Sequence, residues 1–267
     1  MIGRAALVAS AAALTVFLAL PVATLLGRAV GDRELAAAFG SRAVLEALSL
    51  SLATTAVSLT ITVAVGTPLA FLLARRRFRG SGLVEVLVDL PLVLPPSVAG
   101  LALLLVFGRR GLLGESLDAA GLAIPFTTVA VILAQVFVAA PFYVRSARAG
   151  ISSLPLDLED AARVDGASEV GVFRHIMAPL AAPALAAGLV MSWARSLGEF
   201  GATILFAGNV TGRTQTLPLV VYAEFGAGDL DAAIAAAAVL VLAAVGVLVA
   251  VRLGRRGRTL DTAVGAA

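Results

Sequence analysis

The sequence predicts an all-α protein embedded in a lipid bilayer, and three observations carry that prediction. Hydrophobic residues fill 60% of the 267 positions and charged residues only 14%, against about a quarter charged in water-soluble domains. The mean hydropathy is +1.01. The apolar residues also gather into six long runs, at about 5–27, 46–74, 84–107, 126–144, 180–207 and 229–251. Each approaches the roughly 20 residues that a hydrocarbon core requires.

The first run follows Arg4. It is too long for the apolar region of a signal peptide and Pro21-Val22-Ala23 is a poor cleavage site, so it reads as a membrane anchor. The third run contains Pro91, Pro95 and Pro96. Each proline removes a helical hydrogen bond, and such a break either lines a transport path or is a packing kink. The fifth run holds Arg195 and Glu199 one turn apart, a spacing at which the two charges neutralise each other. An unpaired charge at that depth costs several kcal/mol. Two readings of the pair stand: a pore-lining element that passes an anion without trapping it, or an ion pair that locks helix packing. Gly198, Gly201 and Ala202 form a small-residue face suited to close packing, as does the run from Ala232 to Ala238. The stretch Gly208-Asn209-Val210-Thr211-Gly212-Arg213 is a turn-rich loop. No Ser- or Pro-rich linker divides the chain, which reads as one membrane domain.

All twenty basic residues are arginine, and they sit mostly between the apolar runs. The pI near 10.4 therefore reflects membrane topology rather than nucleic-acid binding. With both termini inside the cell, the inner side holds thirteen arginines, among them Arg75, Arg76, Arg77, Arg79, Arg145, Arg148 and the C-terminal group Arg252 to Arg258. The outer side holds six: Arg28, Arg33, Arg42, Arg109, Arg110 and Arg213. The bias predicts cytoplasmic termini, and it places residues 145–179 in the cytoplasm as well. There is no cysteine, which excludes disulfides, thiolate metal sites and cysteine nucleophiles. An intramembrane enzyme would need a nucleophile with its base, a metal motif or a phosphate loop, and none is present. A passive channel, the other rival, has no reason to present the structured knob that follows.

Residues 145–179 form a polar, helix-forming island between two apolar spans. Pro155 suits a first helical turn, and Asp157, Glu159 and Asp160 complement its dipole. Leu158, Ala161 and Ala162 share a face. Gly166 stops this helix where a left-handed residue is easiest, and Ser168 caps a second helix with Val170, Phe173, Ile176 and Met177 on one face. Pro179 is expected to end it. His175, the only histidine, falls on the polar side and reads as solvated. Such a knob either covers the end of the bundle or receives force from a partner.

The knob resembles the signature loop of ABC importer permeases, in which Glu-Ala-Ala is followed after three residues by Gly and after nine more by Ile-x-Leu-Pro. Here Asp160-Ala161-Ala162, Gly166, Ile176 and Pro179 keep that spacing, with Asp160 in place of Glu and Ala178 in place of Leu. A second resemblance, running from about 40 to 250, is to the molybdate permease branch. It rests on Leu90 to Gly100, Phe107 to Gly114, Ile124 to Thr128, Ala140 to Arg145, Trp193 to Thr203 and Arg213 to Leu219. Sulfate/thiosulfate and tungstate permeases share the Gly198-Glu199-Phe200-Gly201-Ala202 element, so the uninterrupted likeness around 90–114 is what favours molybdate over those alternatives.

The resemblance implies a type I (MetI-like) importer permease of six helices in the cytoplasmic membrane. An N-terminal helix and connection would occupy 1–40, the permease domain 41–252, and a basic cytoplasmic tail 253–267. It implies a coupling helix in which Glu159, Asp160, Ala161, Ala162, Gly166, Ala167, Phe173, Ile176 and Pro179 engage a cytoplasmic ATPase subunit. It further implies a second copy of the permease and an extracytoplasmic molybdate-binding protein, with no nucleic-acid partner. The chain itself would bind no cofactor or metal, ATP and Mg being held by the ATPase. Candidate residues along the translocation path are Pro95, Pro96, Ser97, Arg195, Ser196, Glu199 and Thr203.

Overall fold

The computed structural model describes residues 3–31, 34–76 and 78–264, and all regular structure among them is helical. Of the arginines counted for orientation, Arg33 and Arg77 lie outside the described residues, and Arg252 to Arg258 outside the described side chains. The helices in order are α1 (Arg4–Gly31), α2 (Glu34–Gly40), α3 (Arg42–Arg75), α4 (Ser81–Val93), α5 (Pro96–Phe107), α6 (Gly114–Ala119) and α7 (Thr128–Ser152). Then follow α8 (Leu156–Val164), α9 (Glu169–Val172), a π-turn (Phe173–Met177), α10 (Ala178–Leu197), α11 (Gly201–Phe206), α12 (Leu217–Ala227) and α13 (Leu230–Val264). Backbone packing divides the chain into two units, one of residues 1–49 and 215–267, the other of 50–214.

In the first unit α1 and α12 each lie along α13. Its buried core includes Val44, Leu217, Val220 and Val239. Helix α12 is an element that the hydropathy pattern did not predict, because eleven residues are too few to register as a span. Its ends are nonetheless written locally: Thr216 and Pro218 open it, and left-handed Gly228 closes it at φ 85°. The backbone of α13 stays helical through Val264, including most of the segment expected as a tail.

The second unit is built on α7 and α10, with α3 and α4 against one end of α7 and α5 and α11 against the other. Among the described residues five helices are long and apolar enough to cross a membrane, and the third expected span, 84–107, is interrupted where its prolines lie. It is two helices, α4 and α5, and neither spans alone. Leu94 is held extended (φ −67°, ψ 132°), the conformation that a following proline imposes. Pro96 then opens α5, where a missing N–H costs nothing. Pro91, by contrast, is accommodated inside α4.

The fifth expected span is also divided: α10 stops at Leu197, and α11 begins at Gly201. At its other end helix formation runs further than expected, with Glu169–Leu197 continuous through Pro179. The π-turn explains this. The Ala178 N–H bonds the Phe173 carbonyl five residues back, so one carbonyl already lacks its usual donor and a proline just beyond forfeits little.

Lipid is as apolar as leucine, so packing between membrane helices depends on close backbone approach. The α7–α10 contact shows this directly. A Cβ on Gly150 would stand 2.3 Å from Ala184 Cβ, and one on Gly188 would stand 2.8 Å from Ser146 Cβ. Gly150→Val should therefore destabilise the detergent-purified protein by about 1–3 kcal/mol, the usual range for overpacking. Thermal unfolding should show a lowered midpoint, partly restored when Ala184→Gly is added. An unchanged midpoint would mean that α7 and α10 do not meet at this point.

Candidate functional site

Two regions of the second unit hold the residues that the sequence singles out. The first is the hairpin formed by α8, α9 and the π-turn. Pro155 precedes α8 as its N-cap. Gly166 has φ +88°, a value that only glycine adopts without strain, and the Ala167 N–H closes the turn on the Ala162 carbonyl at 2.9 Å. The Ser168 hydroxyl caps α9 by accepting from the Gly171 N–H at 3.2 Å.

The buried face of α8 differs from the expected one. Leu158 is exposed and Ala161 lies on the surface, whereas Glu159 is only 2% exposed. Its carboxylate stands 2.6 Å from Arg75 at the end of α3. The Arg75 Nη2 also donates to the Leu154 carbonyl at 3.1 Å. Arg163 gathers three carboxylates: Glu169 at 3.0 Å, Asp160 at 2.8 Å and the second oxygen of Glu159 at 3.4 Å. The hydrogen bond from Arg163 to Glu169 raises the arginine above its ordinary value.

On the next element Val170 points outward, while Val172 and Met177 enter the core. The π-turn adds a residue per turn and rotates the face, which a strict 3.6 period misplaces. Phe173 and Ile176 are half-buried, and the Phe173 ring meets Phe71 edge to face at 6.0 Å. Asp160, Ala161, Gly166, Ala167, His175 and Pro179 are exposed, and Ala162 is half-buried. The hairpin thus turns Leu156, Leu158, Val164 and Val170 outward beside its charges.

The second region lies where the two divided spans meet. A Cβ on Gly201 would stand 2.5 Å from Pro96 Cβ, and one on Gly100 would stand 2.6 Å from the Ala202 carbonyl oxygen. The opening turns of α5 and α11 are therefore pressed together, and the small-residue face serves this contact. Arg195 Nη1 pairs with Glu199 Oε2 at 2.6 Å. Glu199 Oε1 accepts from the Ala202 N–H at 2.7 Å. One carboxylate therefore neutralises the last turn of α10 and satisfies the first turn of α11. Glu199 is sealed, whereas the Arg195 side chain keeps 29% of its exposure. Ser196 and Thr203 are buried, and Pro95, Pro96 and Ser97 are exposed.

A polar seam that the sequence reading overlooked runs through the same unit. Ser51, Thr54, Thr55, Ser58 and Thr62 repeat at helical spacing on α3 and are all buried. Gln135 of α7 donates to Thr54 at 3.2 Å, Ser58 and Ser196 hydroxyls meet at 3.1 Å, and Thr67 meets Tyr143 at 2.7 Å. The signal was available: hydroxyls on one stripe of an apolar helix mark an interface with other helices. Among the described residues no group of three His, Cys, Asp or Glu side chains is placed to hold a metal ion.

Apolar helices, interrupted at two packed breaks and joined by a polar helical hairpin, mark a protein of the membrane-embedded class. The match of residues 66–258 to a known family makes this specific: the chain belongs to the binding-protein-dependent transport system inner membrane components, the ABC importer permeases. The matched segment starts after and ends beyond the 41–252 expected for the permease domain. The chain is 45% identical over 210 residues to the molybdenum transport system permease protein ModB of Mycobacterium tuberculosis, covering 79% of this chain and 78% of that one. It is 36% identical over 196 residues to the sulfate transport system permease protein CysT of Salmonella typhimurium, covering 72% and 71%. In fold it is similar to a chain of the bacterial ABC transporter that imports alginate, with a TM-score of 0.75 at 19% identity over 94% of both chains.

The unequal burial of the ion pair orders the effects of its mutants. Arg195→Gln strands a sealed carboxylate, an uncompensated buried charge of the kind that costs about 3–5 kcal/mol. Glu199→Gln leaves a cation with partial access to water and a side chain that still accepts from Ala202, so its loss should be smaller. The double variant should recover part of the Arg195→Gln loss. Thermal unfolding of the three purified proteins checks the order, and equal midpoints in all three and the wild type would show the pair to be exposed.

Proposed function

We propose that this chain is the membrane subunit of an ATP-driven molybdate importer, working as a homodimer with both termini in the cytoplasm. An extracytoplasmic binding protein delivers the oxyanion. Two cytoplasmic ATPase subunits, which hold ATP and Mg, drive the permease through the hairpin of α8 and α9. The chain itself performs no catalysis.

The observation that carries this reading is the hairpin. Its apolar side chains Leu156, Leu158, Val164 and Val170 face outward while an ion pair beneath them is buried. A loop that merely sealed the bundle would turn those side chains inward. Asp160, Ala161, Gly166 and Ala167 form the exposed rim, and Phe173, Ile176 and Pro179 connect it to α10. Two copies supply two hairpins for two ATPase subunits, in keeping with the isologous pairing common among oligomers. Thrust on the hairpin enters α3 and α10, and α10 ends at the packed breaks. Broken helices are the usual material of a moving transport path. Pro95, Pro96, Ser97, Arg195, Ser196, Glu199 and Thr203 belong to that region. The Arg195–Glu199 pair lets an oxyanion pass, since an unpaired cation there would hold it. For the cargo, the closer likeness to ModB than to CysT supports molybdate over sulfate, with selection residing mostly in the binding protein.

Gly166→Val tests the coupling reading. A β-branched residue at φ +88° costs about 1–2 kcal/mol and distorts the turn without touching the spans. The variant should insert normally yet lose ATP-dependent uptake in proteoliposomes containing the ATPase and binding protein, and normal uptake would count decisively against docking.

The cargo is tested in cells. Deleting the gene should abolish molybdoenzyme activity at trace molybdate and restore it at excess, with sulfate assimilation untouched. A requirement for organic sulfur with molybdoenzymes intact would move the assignment to sulfate and leave the fold and coupling readings standing.

A further inference from the structure

Glu159 falls within the segment proposed to dock on the ATPase, yet it cannot reach a docked partner. Its side chain is 2% exposed, and that of its partner Arg75 is 10% exposed. The neighbouring Asp160, although paired with Arg163, is 70% exposed and within reach of another protein. We infer that Glu159 and Arg75 are positioning residues: together they bind the docking helix α8 rigidly to the end of α3, so that thrust on the hairpin is delivered along α3. This rests on the proposed docking role of the hairpin.

The geometry supports a clamp rather than an ordinary surface pair. One guanidinium holds two parts of the hairpin. Arg75 meets Glu159 in the first turn of α8 at 2.6 Å and the Leu154 carbonyl, in the turn before α8, at 3.1 Å. From the other side Glu159 meets Arg163, which is also tied to Asp160 and Glu169. Glu159 is thus the node where an arginine of α3 and an arginine of α8 converge. A solvent-exposed pair yields easily, because water replaces the lost partner. Separating this one would leave a carboxylate in a site closed to water, so the joint resists being pulled apart. Beyond the clamp, α3 continues into Thr67, hydrogen-bonded to Tyr143, and Ser58, hydrogen-bonded to Ser196. Ser196 directly follows Arg195 of the packed break. A displacement entering at Glu159 therefore has a rigid element and successive hydrogen bonds leading to the divided spans.

The test uses proteoliposomes holding the permease with its ATPase and binding protein, and reads both ATP hydrolysis and molybdate uptake. Glu159→Gln and Arg75→Gln should each keep the ATPase bound and hydrolysing at its basal rate. The ATP consumed per ion imported should rise about tenfold, within the usual span of coupling effects. A merely structural loss would lower hydrolysis and uptake together. The reversed pair, Arg75→Glu with Glu159→Arg, should bring the ratio back toward wild type. Because the chain contains no cysteine, Arg75→Cys with Glu159→Cys can be joined by a short bifunctional thiol reagent. Coupling should be poor before linking and recovered after it, which keeps the test decisive if the reversed pair fails to fold. The inference is overturned if Arg75→Gln couples normally while Glu159→Gln releases the ATPase, for Glu159 would then be a docking contact. It is also overturned if the linked protein remains uncoupled. Normal coupling by Gly166→Val would instead remove the docking reading itself, and the two failures are told apart.

Discussion

The structure depends on how backbone and charge are satisfied where a span stops inside an apolar environment. A free carbonyl or N–H in hydrocarbon costs several kcal/mol, so an interruption persists only with a replacement partner. At the break between α10 and α11 that partner is Glu199, which receives the Ala202 N–H on one oxygen and Arg195 on the other. The nearby α4–α5 break needs no such device, because prolines at 95 and 96 have no N–H to satisfy. Glycine then lets the two interruptions touch, Gly201 against Pro96 and Gly100 against Ala202. A side chain at either glycine would force the helices apart.

The remainder of the second unit is joined by the same two means. Where α7 meets α10 the contact is steric and made by Gly150 and Gly188. Where α3 meets its neighbours it is polar, through Thr54, Ser58 and Thr67. Hydroxyl bonds of this kind contribute about 0.6 kcal/mol each in membrane bundles, so the seam aligns helices more than it stabilises them. Aligned helices with modest bonds can shift against one another without unfolding, which suits a transporter.

Outside the spans the balance reverses. The hairpin is charged, yet its most important charge is inside and several apolar side chains are outside. Three features make it stiff: a left-handed glycine at 166, a serine cap at 168 and the convergence of Arg75 and Arg163 on Glu159. A stiff hairpin transmits displacement where a flexible loop would absorb it.

Much of this was legible in the sequence. The all-α membrane class, most span positions, the turn at Gly166, the cap at Ser168 and the i, i+4 pairing of Arg195 with Glu199 follow from hydropathy, backbone preference and helical period. These are properties of residues and their near neighbours along the chain. The tertiary structure decided the rest. Pro179 reads as a stop, but a π-turn upstream carries the helix through it, and that same turn exchanges Val170 for Val172 on the buried face. Glu159 reads as a surface acid at a helix start, but Arg75, more than eighty positions earlier in the chain, draws it inside. The α3 hydroxyls mark a helix interface by their spacing, but only the folded chain shows that Gln135, Tyr143 and Ser196 stand opposite them. For Glu159 and the hydroxyls the deciding partner is remote in sequence, and local preference carries no information about which remote side chain will arrive. The π-turn at 173–177 is near in sequence, but it breaks the 3.6-residue period on which the reading of that helix relied.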